Sequence, residues 1–392
     1  MSYPNPYPNN VAANFARTIT SERKAQTNVV KVALGIVAVL MALLLGLLVL
    51  LVIGISTGPV AFMIGLVTAT IPVPLYVILV LWIDRYESEP FWMLATAFGW
   101  GALVATFFAF LLNTTGAIAV YNLSGNEQAA ELYSLVISAP IVEESGKAAI
   151  LFLFFFFKKD EFDGVLDGIV YGSLVALGFA MTENVQYYGK AALSEEGQLP
   201  LTFFVRGFMA PFSHPLFTCM TGIGLGLARQ TSSVVLKIFA PIVGFFMAIC
   251  LHSIWNGSGA LFGGGVFLLT YILVMVPAFV IVLVVIGLAL RREGQVVRQF
   301  LLCDLERGMI TKQEYDQLGS IFGRMGASAS ALTSRGVGGW RARMRFNQIA
   351  SELAFHRCRV SRGLHSSGAD VREIEDAYLQ TLQALINHVR PR

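Results

Sequence analysis

The sequence predicts an all-α, polytopic membrane protein of about eight transmembrane helices, with both termini cytoplasmic and a helical cytoplasmic tail after the last span. Three observations predict it. Of 392 residues, 55% are hydrophobic and only 14% charged, against about 25% charged in a soluble domain, so there is too little charge to coat a soluble surface. The mean hydropathy is +0.65. Apolar stretches of about 20 residues, the length of a spanning helix, recur from residue 31 to residue 290. Disordered, collagen-like and disulfide-stapled classes are excluded. The four cysteines, Cys219, Cys250, Cys303 and Cys358, form no CxxC pair.

Residues 1–28, rich in Pro and Asn and then basic at Arg17, Arg23 and Lys24, are expected to be a disordered cytoplasmic lead, and the first apolar run an uncleaved signal anchor. The membrane-embedded domain is expected over 29–290. Its spans fall near 31–54, 60–83, 91–119, 133–157, 164–188, 202–228, 234–255 and 265–290. The sixth is irregular: Arg206, Pro211 and Pro215 break its outer half, and residues 200–209 are candidates for an interfacial stretch. Loop charges fix the orientation. With the N-terminus inside, the inner loops hold Arg85, Lys158 with Lys159, and Arg229, and the outer loops hold only Lys190, as the positive-inside rule requires. Asp163 and Asp167 stand at the inner start of the fifth span, where a helix N-terminus favours carboxylates.

Residues 291–392 return to a soluble composition, with 16 basic and 10 acidic residues, and are expected to be a basic helical cytoplasmic domain. Thr311 with Glu314 reads as a capping box. RGMITKQEYDQL resembles a short helical-hairpin module of the SHOCT-like kind. A Gly/Ser/Ala linker is expected at about 325–339, then helices near 340–361 and 370–388. The bland role for this tail is a solvated appendage; its basic balance also suits an anionic inner leaflet.

Ionisable groups inside a span cost on the order of 2–3 kcal/mol or more and so mark function. The fourth span holds Glu143-Glu144-Ser-Gly-Lys147, the fifth ends in Glu183-Asn184, the sixth holds His214 and Thr218, and the seventh holds His252 and Asn256. These helices alternate in direction, yet their polar groups all fall in the outer half, which implies one shared cavity open to the outside. Lys147, one turn from both glutamates, can neutralise one and leave the other free. Asn256, one turn from His252, is placed to orient a substrate or the imidazole. Two chemistries suit this set. His214, His252 and a Glu can hold a divalent metal such as zinc, which acidifies its water. Alternatively, a Glu acts as general base while the histidines stabilise an oxyanion. The residues alone also suit a proton- or cation-coupled transporter, or a catalytically silent scaffold; no polar stripe crosses the inner half, which disfavours transport. No nucleic-acid partner is expected.

In combination and order, EESGK at 143–147, GFAMTEN at 178–184, His214 with Thr218, and HSIWN at 252–256 resemble the PrsW family of intramembrane proteases, related to the CAAX-protease and bacteriocin-immunity group. So does Asp84-Arg-Tyr-Glu87-Ser-Glu89-Pro90. The resemblance spans about residues 60–260. It implies a multi-pass, metalloprotease-like peptidase of a bacterial plasma (inner) membrane. It implies a membrane-protein substrate cut on the outer side, an anti-sigma-like factor in the founding members. By motif, Glu143 and Glu144 are the catalytic glutamates and His214 and His252 the essential histidines. Glu183 and Asn256 match motif positions, and the tail lies outside the resemblance.

Overall fold

The computed structural model describes residues 29–194, 197–209, 212–361 and 371–390. The lead at 1–28 and Pro211 lie outside the described residues. No β-strand occurs among them. Five helices are long and apolar enough to cross a membrane, and the chain divides into two compact units.

The first unit comprises Ala33–Asp84 and Glu89–Ile286. Its helices are α1 (Val29–Thr57), α2 (Pro59–Thr70), α3 (Val73–Ile83), α4 (Phe91–Gly99), α5 (Thr106–Ser124), α6 (Glu127–Tyr133), α7 (Ala139–Phe157), α8 (Val165–Leu193), α9 (Leu199–Phe203), α10 (Ser213–Gln230), α11 (Val234–Thr270) and the first part of α12 (Val276–Glu306). Four π-helical segments join them: Trp100–Ala105, Ser134–Ser138, Phe204–Met209 and Tyr271–Met275. Each such turn shifts the helical phase of the residues beyond it, and these turns are frequent at functional sites.

α8 is the central helix. Of its most apolar window 89% is buried, against 17% for that of α1, whose Leu34, Val37, Leu40 and Leu47 stay exposed as lipid-facing side chains. Small residues let neighbours reach α8. A Cβ on Gly222 of α10 would lie 1.9 Å from the Gly168 carbonyl oxygen, and one on Gly101 would lie 1.9 Å from the Val175 carbonyl oxygen. Lipid gives no hydrophobic drive between helices, so this close backbone approach is what holds them. Thr182 adds a hydrogen bond from its hydroxyl to the Ala102 carbonyl at 2.8 Å. At the start of α8 the Asp167 carboxylate accepts from the Asp163 and Gly164 N–H groups at 2.9 and 2.7 Å, the helix-start role expected of it. Asp84 accepts from the Glu89 N–H at 2.8 Å, and Tyr171 of α8 donates to Glu89 at 2.5 Å.

The irregular sixth span resolves into α9, a π segment carrying Arg206, and α10. The seventh runs on past its expected end. α11 continues to Thr270, broken only at Gly263 with φ 78°, a left-handed conformation that a residue with a side chain rarely adopts.

The second unit comprises, among the described residues, 29–32, Arg85–Ser88 and those from Gly287 onward. It contains the end of α12, α13 (Lys312–Leu318), α14 (Ile321–Ser361) and α15 (Val371–Val389). The Thr311 capping box is formed, with Thr311 Oγ1 accepting from the Glu314 N–H at 3.1 Å and Glu314 Oε2 accepting from the Thr311 N–H at 2.7 Å. The linker expected at 325–339 is instead helical: α14 is continuous apart from Gly336, at φ 64°. Ala327, Ala329 and Ala331 favour helix, so the Gly content breaks it at one point only. The two halves fold back on each other there, with Arg324 donating to Ser351 Oγ at 2.8 Å and Asn347 to Ser328 Oγ at 3.3 Å. Arg357 joins three helices, donating to Asp304 and to Glu375.

Two outcomes test this packing. Gly222→Val drives a methyl into the Gly168 carbonyl, where no side chain can yield, so it should cost at least the roughly 1–3 kcal/mol of ordinary overpacking. Gly35→Ala, with nothing within 4 Å of its added Cβ, should leave the thermal midpoint in detergent unchanged. The second outcome concerns Glu314. Burial alone raises its carboxyl, but hydrogen bonds from Arg390 and Thr311 outweigh that and hold it below the usual range. Its folded value therefore lies below the unfolded one, about 4.3. The stability it adds is complete only above the unfolded value, from about pH 5 upward, and is lost as pH falls through the folded value. Arg390→Gln should lower the midpoint at pH 7, and its deficit against the parent should shrink on acidification below about pH 4.

Candidate functional site

Three helices of the first unit bring one turn each to a common point. α7 supplies Glu143, Glu144 and Lys147; α10 supplies His214 and Thr218; α11 supplies His252. All six are buried, Lys147 completely. α7 is positioned by the π segment before it and by Trp100, whose indole N–H donates to the Gly146 carbonyl at 2.9 Å.

The two glutamates are not equivalent. Glu144 is saturated. Its Oε1 accepts from Lys147 Nζ at 2.9 Å and from His252 Nδ1 at 3.1 Å, and its Oε2 accepts from the Thr218 hydroxyl at 2.8 Å. Glu143 Oε2 makes a longer contact to Lys147, 3.4 Å, and lies 3.9 Å from His252 Nε2. Glu143 is thus the carboxylate left for a reacting molecule.

Both histidines are oriented from behind by a carboxylate. Glu144 holds Nδ1 of His252, and Glu183 Oε2 holds Nε2 of His214 at 3.0 Å. A neutral ring that donates from one nitrogen carries its lone pair on the other. The lone pairs therefore sit on Nε2 of His252, facing Glu143, and on Nδ1 of His214, 3.2 Å from Lys147 Nζ. Glu143, His214 and His252 each offer a ligand atom within 4.8 Å of the others. Phe217 stacks on His252 with ring centroids 5.0 Å apart, and Lys147 lies 4.0 Å over the Phe179 ring.

The expected residues thus come together, with one exception and one addition. Asn256 turns away from the site: its amide donates to the Leu135 carbonyl in a π segment at 2.9 Å, so it ties α11 to the turn preceding α7. The addition is Arg206, which in the sequence reads only as a helix breaker. It donates to Glu183 Oε2 at 2.5 Å and to Asn184 Oδ1 at 2.6 Å, and its guanidinium lies 3.7 Å over the Tyr187 ring. The signal that points to it is an arginine in one membrane segment and an acidic residue in the segment before it. Arg206, Asn184, Tyr76 and His214, set among apolar side chains such as Leu177 and Met181, line a cleft of about 40 Å³, room for a few water molecules at about 10–15 Å³ each.

A family model described as PrsW family intramembrane metalloprotease matches residues 89–282. Protease PrsW of Geobacillus kaustophilus is 30% identical over 176 residues, 44% of this chain and 69% of that protein. Protease PrsW of Oceanobacillus iheyensis is 27% identical over 198 residues, 50% of this chain and 82% of that protein. The Bacillus subtilis protein of the same name is 27% identical over 178 residues, 45% of this chain and 71% of that protein. No solved structure matches the chain. The chain belongs to the PrsW family of intramembrane metalloproteases and is a membrane peptidase. The metal that the family description implies fits the residues present. A carboxylate and two imidazoles are a zinc donor set, and each imidazole is backed by a carboxylate, as metal-ligating histidines are.

The ion-pair arrangement gives a stability outcome. Lys147→Met leaves two carboxylates uncompensated in an apolar interior and should cost about 3–5 kcal/mol, the usual loss when one partner of a buried pair is removed. Adding Glu144→Gln should recover part of that loss in thermal unfolding, whereas independent sites would add.

Proposed function

We propose, starting from that membership, that this chain hydrolyses a peptide bond of membrane-associated proteins near the outer leaflet, with Glu143, Glu144, His214 and His252 as its working residues. The observation that carries this reading is the convergence of Glu143, Lys147, Glu144 and two carboxylate-backed histidines from three helices, buried beside a cleft of water-holding size.

Each group then has a task. Glu144 fixes His252 through Nδ1, and Thr218 fixes Glu144. Glu183 fixes His214 through Nε2 and is itself held by Arg206, which Asn184 steadies in turn. Lys147 balances the carboxylate charge. Glu143 takes the proton of the water that attacks the carbonyl carbon and returns it to the departing amine, a general acid–base exchange typically contributing 10²–10⁴-fold. Glu143, His214 and His252 would alternatively hold a divalent ion such as zinc, which would supply an acidified water, with Glu143 then a ligand rather than the base.

Eight spans with both termini cytoplasmic agree with the loop charges and put the polar cluster in the outer half. α7 and α10 are the expected spans least like apolar helices, α7 because it carries Glu143, Glu144 and Lys147. A bacterial plasma membrane and a single-span, anti-sigma-like substrate, cut in regulated signalling, suit that placement. Lysine and arginine at the inner ends anchor it.

In proteoliposomes with a single-span reporter, Glu143→Gln and His252→Ala should each lower cleavage at least about 100-fold; cleavage at the parent rate by both variants would sink the peptidase assignment to these residues. Metal analysis of the same samples should find bound zinc in the parent and its loss in His214→Ala. Active protein without metal would leave glutamate-only chemistry.

A further inference from the structure

The cleft beside His214 has a more apolar neighbour. A second cavity, of about 180 Å³, is lined by Phe212, Leu216, Trp255, Met275, Val276 and Phe279 among others, and it shares Ser213 and Trp255 with the cleft. Ser213 immediately precedes His214, and Trp255 lies one turn beyond His252. The two spaces therefore adjoin beside His214, and the second is the larger and the more apolar. The first suits water and a polar backbone. The second exceeds the roughly 150 Å³ of apolar cavity that accepts a benzene ring.

Its walls are fixed by ring packing. Phe212 stacks on Phe279 with centroids 5.4 Å apart, Tyr76 meets Phe212 edge-on at 5.2 Å, and Trp255 meets Tyr271 edge-on at 6.3 Å. The Tyr271 hydroxyl is already committed to the Met209 carbonyl, at 3.1 Å, so this wall offers an apolar surface to an occupant. Phe208 and Val276, both lining the cavity, are 72% and 40% exposed, which leaves an entrance from the lipid side.

We propose that this cavity is a specificity subsite that receives one large apolar side chain, aromatic or branched aliphatic, of the substrate's membrane segment, next to the bond that is cut. The inference rests on the peptidase reading above. It follows from adjacency, size and lining. A bond held at the histidines places a flanking side chain within reach of the cavity. Filling an apolar pocket discriminates among side chains by roughly 10- to 200-fold for each methylene gained or lost. An Asp or Lys there would lose its hydration against a largely apolar wall.

The test uses the full-length protein in proteoliposomes and a set of single-span reporters. They differ at one position flanking the cleaved bond, which is mapped by mass spectrometry, and carry Ala, Leu, Phe or Asp there. The parent should cut the Leu or Phe reporter at least about tenfold faster than the Ala reporter and leave the Asp reporter uncut. Val276→Phe, which fills the cavity, should shift the preference toward Ala. Phe279→Ala, which enlarges it, should shift the preference toward Phe. The opposite signs separate a subsite from general damage, which would slow all reporters alike. Preferences unchanged in both variants, as for a cavity that holds only a lipid chain, would overturn the subsite while leaving the peptidase reading intact. A parent that cuts no reporter would remove both.

Discussion

Everything in the membrane unit depends on one constraint: charge buried away from water must be balanced locally. Lys147 is wholly buried and touches Glu143, Glu144 and His214. Arg206 does the same for Glu183 and so, through it, for His214. Three carboxylates face two permanent cations, which leaves one formal negative charge in the cluster. A proton satisfies that remainder, and so would a divalent metal ion together with a hydroxide; both are what a hydrolytic site exchanges. The same count explains why neither cation is expendable, since a lone charge in a medium of low dielectric is far more expensive than a pair.

The fold supplies the precision that this balance needs. The contacts that matter are about 3 Å long and come from α7, α8, α10 and α11, so small errors in helix packing would separate them. Glycine-mediated approach of α10 and the α4 end to α8 fixes the helix axes. The π segments fix the phases: one leads directly into α7, another carries Arg206, and a third is joined through Tyr271 to Met209. The irregularity that weakens the sixth span as a membrane helix is what lets one segment hold the site from two sides.

Much of this is legible in the sequence. The lipid solvent follows from 14% charge, and the cluster follows from a few polar residues at a common depth. What escapes has physical causes. Arg206 reads as an interruption because charge and proline disfavour a span, and only the fold shows that Glu183 lies opposite. Asn256 shares a helix face with His252 to within part of a turn, but a π segment brings the Leu135 carbonyl to it first. Glycine and serine suggest a linker in the tail, although alanine dominates its helix propensity and one glycine suffices for the bend. α7 is a weaker match to an apolar span because Glu143, Glu144 and Lys147 lie within one turn of it.

A protease in a bilayer must solve a further problem, since its two reactants prefer different media. Water avoids lipid, and a membrane-spanning substrate avoids water. The structure separates these demands into two spaces rather than one compromise pocket. The cleft beside His214 is small and sets the hydrogen-bonding groups of Tyr76, Asn184, Arg206 and His214 among apolar side chains, so it has room for a few waters. The adjoining cavity is larger and apolar. A spanning segment entering from the lipid exchanges one apolar environment for another there at little cost, and only the bond to be cut must meet the polar groups. Ser213 and Trp255 belong to both spaces. The two spaces therefore meet beside His214, where a peptide carbonyl must leave lipid to meet its water.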